Sequence, residues 1–195
     1  MKFNSKKFAR ARARVIIGSL LALWALLIII PRIIPYTPNC PADISIPGIN
    51  KIQVLKSERK LHLMENDRIV HSFDIDLSAK PIGNKRFEGD LKTPTGCYHV
   101  ELKNDASVAY LSLRISYPDF WDKIYGWLHF RNPGGDIMIH GLMTDPEHEI
   151  YKQFQSGEIK PGMDWTWGCV AMRSNEDMQK IWDLTVVGTP IEIKE

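Results

Sequence analysis

The first 42 residues contain no acidic side chain, and the 16 residues from Val15 to Ile30 contain no charge of either sign. Cysteine is scarce, with three in 195 residues, and no internal repeat is visible. These shortages exclude several classes. Three cysteines cannot build a disulfide framework, and an odd number leaves at least one thiol free in an oxidising compartment. Cys40 and Cys97 could pair, but nothing in the sequence fixes that. No recognised zinc spacing joins His140, His148, Glu147 or Glu149 to Cys169, so no metal or other cofactor is expected. Positive charge is also missing where nucleic-acid binding would need it. Lys2, Lys6, Lys7, Arg10, Arg12 and Arg14 precede residue 15. Without those six and Arg32, 18 basic residues face 23 acidic ones. A basic tail on a mildly acidic body is not a nucleic-acid signature.

What is present at the N-terminus is a basic tail (1–14) followed by an apolar stretch (15–34), long enough to span a membrane as a helix. The residues after it offer no small-residue cleavage site, which predicts a retained single-pass anchor in the cytoplasmic membrane. Positive charge stays on the cytoplasmic side, so the body is expected outside the cytoplasm. Residues 35–50 hold four prolines and read as an extended linker.

From Lys51 the pattern alternates. Ile52 and Val54, then Leu61 and Leu63, then Ile69, His71, Phe73, Ile75 and Leu77 fall on period two, with Glu65–Arg68 as a polar turn. Further short strands are expected at Cys97–Leu102, Leu111–Tyr117, Asp136–Gly141 and Pro190–Ile193. Helices are expected near Asp119–Trp127, Asp145–Phe154 and Ser174–Leu184. In the last, Ser174 caps, with Asp177 three residues on. The fold class is therefore mainly β with covering helices, a single domain over 51–195. Nothing in the sequence sets an oligomeric state.

Two residues could carry chemistry. Cys169 lies just before a helix and just after Gly168, which permits a tight turn whose N–H groups can meet an oxyanion. His140 ends a short strand and could act as general base and acid. Taken singly, each is as readily explained as packing, since free cysteine is among the most buried residue types. The aromatic residues Trp121, Tyr125, Trp127, Trp165 and Trp167 could line a cleft or fill a core.

Four ordered blocks carry a resemblance. They are Lys56–Leu61, Gly89–Tyr98 (GDLKTPTGCY), Gly134–Gly141 (GGDIMIHG) and Asp164–Met172 (DWTWGCVAM). Together they resemble the L,D-transpeptidase (YkuD) catalytic domain, the last in a subgroup reading Asp-Trp-Thr-x-Gly-Cys. The resemblance implies a β-sandwich-like domain with Cys169 as nucleophile and His140 as its base. It implies acyl transfer from the diaminopimelate–D-Ala bond of a peptidoglycan stem peptide, through a thioester, to an amine or to water. It further implies Gly168 at the oxyanion site, and Gly141, Trp167, Arg173 and Tyr117 around the substrate. Departures from the family pattern are Trp167 and Ala171, where His and Arg are common, with Arg173 as a stand-in. Residues 142–163 read as an insertion between His140 and Cys169. A hydrolase using the same thiol on peptidoglycan or its lipoprotein link is the alternative function.

Overall fold

The computed structural model describes residues 16–20, 22–23, 25, 40 and 48–195. The chain divides into two units, 1–37 and 38–195. In the first, residues 16–20, 22, 23 and 25 are helical, with Ile16, Ile17, Leu20 and Leu23 exposed. Most of the expected span at 15–34 lies outside the described residues. Among the described residues no helix is long and apolar enough to cross a membrane.

The second unit is built from eight strands and three helices. The strands are β1 (Lys51–Leu55), β2 (Lys60–Glu65), β3 (Arg68–Asp76), β4 (Gly96–Ser107), β5 (Tyr110–Ile115), β6 (Met138–His140), β7 (Val170–Met172) and β8 (Pro190–Lys194). The helices are α1 (Phe120–Leu128), α2 (Glu149–Ser156) and α3 (Asn175–Leu184). The strands close into a ring in the order β1-β2-β3-β7-β6-β5-β4-β8. A closed ring stands in place of the expected sandwich, with two half-sheets joined at two shared strands, β3 and β4. β3 pairs with β2 through Arg68–Asp74 and passes to β7 at Ile75–Asp76. β4 pairs with β8 through Gly96–His99 and with β5 from Val100 onward. The β1–β8 and β6–β7 pairs are parallel.

Local sequence explains the elements. Asn66 and Asp67 both take positive φ (48° and 63°), the conformation a tight hairpin needs, and they join β2 to β3. The period-two reading fails at Ile69. The β2–β3 register shifts between Leu63 and Met64, skipping Val70, and this turns Ile69 outward to half exposure. β7 was not expected, because three residues, Val170–Met172, are too short for alternation to register. The expected strand at 136–141 narrows to Met138–His140. Asp119 caps α1 in a reciprocal box with Asp122. Ser174 caps α3 by accepting from Asp177 N (3.1 Å). Met178 and Ile181 of α3 are fully buried, and Trp182 packs on their cluster.

One core fills the ring, drawing on every strand. It begins at Ile49, and Asn50 N already donates to Met64 O (2.9 Å), so the end of the expected linker belongs to the fold. Cys40 is bonded to Cys97 at the start of β4, with a Cα–Cα distance of 5.2 Å. The core therefore lies wholly within the second unit.

Candidate active site

β6 and β7 lie side by side, with Ile139 opposite Val170 and His140 opposite Ala171. β5 flanks β6 and β3 flanks β7. Cys169 comes immediately before β7, on a loop pinned along its length. Trp165 N and Thr166 N both donate to Leu77 O (2.9 and 3.0 Å), and Ala79 N donates to Thr166 O (3.0 Å). Asp164 accepts from Leu77 N (2.9 Å) and pairs with Arg59 (2.6 Å). Thr166 Oγ1 donates to Cys169 O (2.7 Å). Gly168 takes φ +145°, and a Cβ there would stand 2.9 Å from Ile137 Cδ1 and 3.0 Å from Lys92 O, so no side chain fits.

Cys169 is the free cysteine among the described residues. Part of the residue opens to the cleft, but burial dominates at the thiol and pushes it up to about 11. The backbone at Met138 opposes that rise, and Asp136 reinforces it. The resting thiol lies 3.6 Å from Asp136 O. A thiol raised this far needs a base to react at neutral pH.

His140 is buried, and its Nδ1 lies 2.7 Å from Gly141 O. A carbonyl can only accept, so Nδ1 carries the proton and Nε2 holds the lone pair in the neutral ring. Burial lowers the imidazole below its ordinary value, against the opposing Gly141 bond. His140 therefore remains a neutral base at physiological pH. Trp165 meets its ring edge-on, with centroids 5.7 Å apart.

Both residues line one cleft of about 780 Å³. Residues 49–193 match the L,D-transpeptidase catalytic domain, YkuD. The chain belongs to that family. YafK of Escherichia coli K12, assigned as an L,D-transpeptidase, is 33% identical, the match covering 55% of this chain and 48% of YafK. The helical cell shape determining protein Pgp2 from Campylobacter jejuni superposes with a TM-score of 0.57 at 20% identity, over 89% of this chain and 55% of Pgp2. At that identity the likeness concerns the fold. The chain spans about half the length of these relatives.

Within this L,D-transpeptidase domain the remaining expected site residues separate. Trp167 lines the cleft and is 79% exposed. Gly141 orients His140 through its carbonyl, and it must lack a Cβ because one would stand 2.6 Å from Asn175 Oδ1. Gly168 N donates to Thr166 Oγ1 over a long 3.3 Å, so its amide is engaged rather than open. Arg173 and Tyr117 do not line the cleft. Buried Asp76 draws Arg173 away, accepting from its Nε at 2.8 Å. Tyr117 is buried in the core and donates to Pro133 O (2.9 Å). Of the aromatic residues, Trp165 and Trp167 reach the cleft, whereas Trp121 and Trp127 are exposed on α1.

Sequence reasoning missed the opposite wall. It comes from the 142–163 insertion, with Met143, Ile150, Ile159 and Met163 as apolar lining and Glu149 and Glu158 as charges. Phe154 packs edge-on against Trp165 (5.3 Å), and Gly162 N donates to Asp76 (2.9 Å). The long His140–Cys169 interval and the helix expected near Asp145–Phe154 were the available signals, and neither pointed to the cleft. Among the described residues no Lys or Arg lines the cleft. Among the described residues no group of three or more His, Cys, Asp or Glu could hold a metal ion.

Proposed function

We propose that this domain is a peptidoglycan acyltransferase that uses Cys169 as nucleophile and His140 as base. It works from the outer side of the cytoplasmic membrane, to which residues 15–34 anchor the chain. The observation that carries the chemistry is the 2.7 Å bond from His140 Nδ1 to Gly141 O, which leaves Nε2 basic in a cleft shared with Cys169. Nε2 takes the thiol proton as Sγ bonds to the carbonyl carbon after diaminopimelate. The C–N bond then breaks, D-Ala leaves with the proton from Nε2, and a thioester remains. An amine repeats the sequence in reverse, losing its proton to Nε2. For Gly168 to stabilise the oxyanion, its amide must leave the long contact with Thr166 as the carbonyl arrives.

A second reading replaces the accepting amine by water, giving an amidase or L,D-carboxypeptidase on peptidoglycan or its lipoprotein link. The charge of the cleft favours its amidase form. Glu149, Glu158 and Asp164 line it, and Arg173 is held elsewhere. Asp164 is already paired with Arg59, so a leaving group that carries a further free amine meets Glu149 and Glu158. One experiment tests both. Residues 38–195 are incubated with tetrapeptide muropeptides, and separately with muropeptides carrying a lipoprotein remnant, each with and without added amine, and products are read by mass. Transfer predicts a Cys169 adduct and amine-extended product, and hydrolysis predicts release without extension. Turnover by a Cys169→Ala protein would overturn both.

A further inference from the structure

We propose that the outward face of α1 docks the domain onto a bilayer surface, with anionic phospholipid headgroups and the adjoining acyl region as its partner. The helix is inverted. Its buried residues are Asp122 and Gly126, while Phe120 (66%), Trp121 (61%) and Trp127 (75%) are exposed, with Phe130 (89%) just beyond. At 100° per residue, Phe120, Trp121, Ile124, Trp127 and Leu128 share one arc.

The inward face is fixed by needs that apolar residues cannot meet. Asp122 completes the Asp119 capping box and lies 3.4 Å from the Tyr98 hydroxyl. A Cβ at Gly126 would stand 2.7 Å from Arg131 O and 2.9 Å from Pro133 Cδ. With Asp and Gly required inside, the large apolar side chains are turned outward. Single exposed apolar residues are ordinary, but a contiguous aromatic patch marks a contact surface. None of these residues lines the cleft, so substrate does not account for them.

Two observations choose the bilayer. Tryptophan with phenylalanine is the composition that suits a boundary between water and hydrocarbon. Within residues 120–131 the exposed charges are Lys123 and Arg131, both cationic, and the one acid is buried. That complements anionic headgroups, and it opposes a symmetric contact between two copies, which would confront the same cations.

The test uses residues 38–195, which contain the whole core and the disulfide but no anchor. The probe is vesicles of phosphatidylglycerol with phosphatidylethanolamine, against vesicles of phosphatidylcholine alone. Co-sedimentation is expected with the anionic vesicles and should weaken with salt. Brominated acyl chains are expected to quench tryptophan emission. The double variant Trp121→Ser/Trp127→Ser should partition about tenfold less or weaker, with unchanged far-UV circular dichroism, while Trp167→Ser should partition as the parent does. Absence of binding by the parent, equal binding by the double variant, or a parent dimer that the double variant abolishes would overturn the proposal. Alkaline extraction of membranes holding the full chain reads the anchor separately. If the full chain were released while the body still bound vesicles, the anchor reading would fall and the docking face would stand.

Discussion

On one side of the cleft, His140 and Cys169 sit on and beside strands whose residues Ile139, Val170, Ala171 and Met172 are exposed by 1% or less. On the other side, α2 has no buried residue at all. The first wall is tied by paired strands and by hydrogen bonds and an ion pair along the Asp164–Cys169 loop. The second is tied at its start by Leu142 N to Asn175 Oδ1 (2.8 Å) and Thr144 N to Val108 O (2.9 Å), and beyond that by a His148 cap (3.2 Å to Ile150 N), the Phe154–Trp165 edge contact and the Gly162–Asp76 bonds. The wall that must place atoms is rigid, and the wall that meets the rest of the substrate is lightly fastened. Low local stability belongs where a surface must adapt, and pre-organisation belongs where bonds change.

The largest expected effect breaks the first wall. Cys169→Ala should lower turnover about 10⁴-fold or more without changing the thermal midpoint, as read by product mass and calorimetry. Activity above that level would move the chemistry off this loop. His140→Ala should slow acylation of Cys169 by about 10²–10⁴. Its pH profile sharpens the point. In the parent, burial holds His140 below its ordinary value, so acylation should persist as pH falls until that lowered value is crossed. In His140→Ala the rate should instead climb with the thiolate toward about 11. An unchanged profile would remove His140 as the base.

A middle-sized effect tests the joint between the walls. Asp76 is 1% exposed and serves both Arg173 and Gly162. Arg173→Ala leaves that carboxylate unpaired and should cost about 3 kcal/mol in urea denaturation at neutral pH. Burial already raises the Asp76 carboxyl above its ordinary value. Protonation therefore favours the folded state at this site, and the loss should shrink under mild acid. A loss independent of pH would mean that the side chain acts by packing alone. The smallest effect belongs to the second wall. Glu149→Gln or Glu158→Gln should raise KM for an amine-bearing substrate about two- to fivefold with kcat unchanged. A fall in kcat alone would show that the two walls are not separable.

The sequence made the first wall readable and left the second almost blank. Taken singly, Cys169 and His140 read as readily as packing residues, and they stood out because four ordered blocks around them resemble the L,D-transpeptidase domain. β7 escaped because three residues carry no period. Arg173 and Tyr117 were misplaced for a related reason. Position along the chain does not reveal that Asp76, 97 residues away, will claim a guanidinium. α1 was expected near Asp119–Trp127 and forms as Phe120–Leu128. Its direction was not expected, because nothing local shows that Gly126 must pass within contact distance of Arg131 and Pro133. The insertion gave its length and a helix near Asp145–Phe154, which forms as Glu149–Ser156, but not which of its side chains would line the cleft.

The place of β8 in the ring has a consequence for how the fold closes. β8 is the bridge between β1 and β4, pairing Ile52–Leu55 on one side and Gly96–His99 on the other. Without it the ring would open at β1 and β4, and the core would lack Ile191 and Ile193. Contacts joining residues about 140 positions apart form slowly. Closure of the ring is therefore expected late in folding, with amide protection of the β1 and β4 edges lagging behind that of the β2–β3 hairpin in pulsed hydrogen exchange.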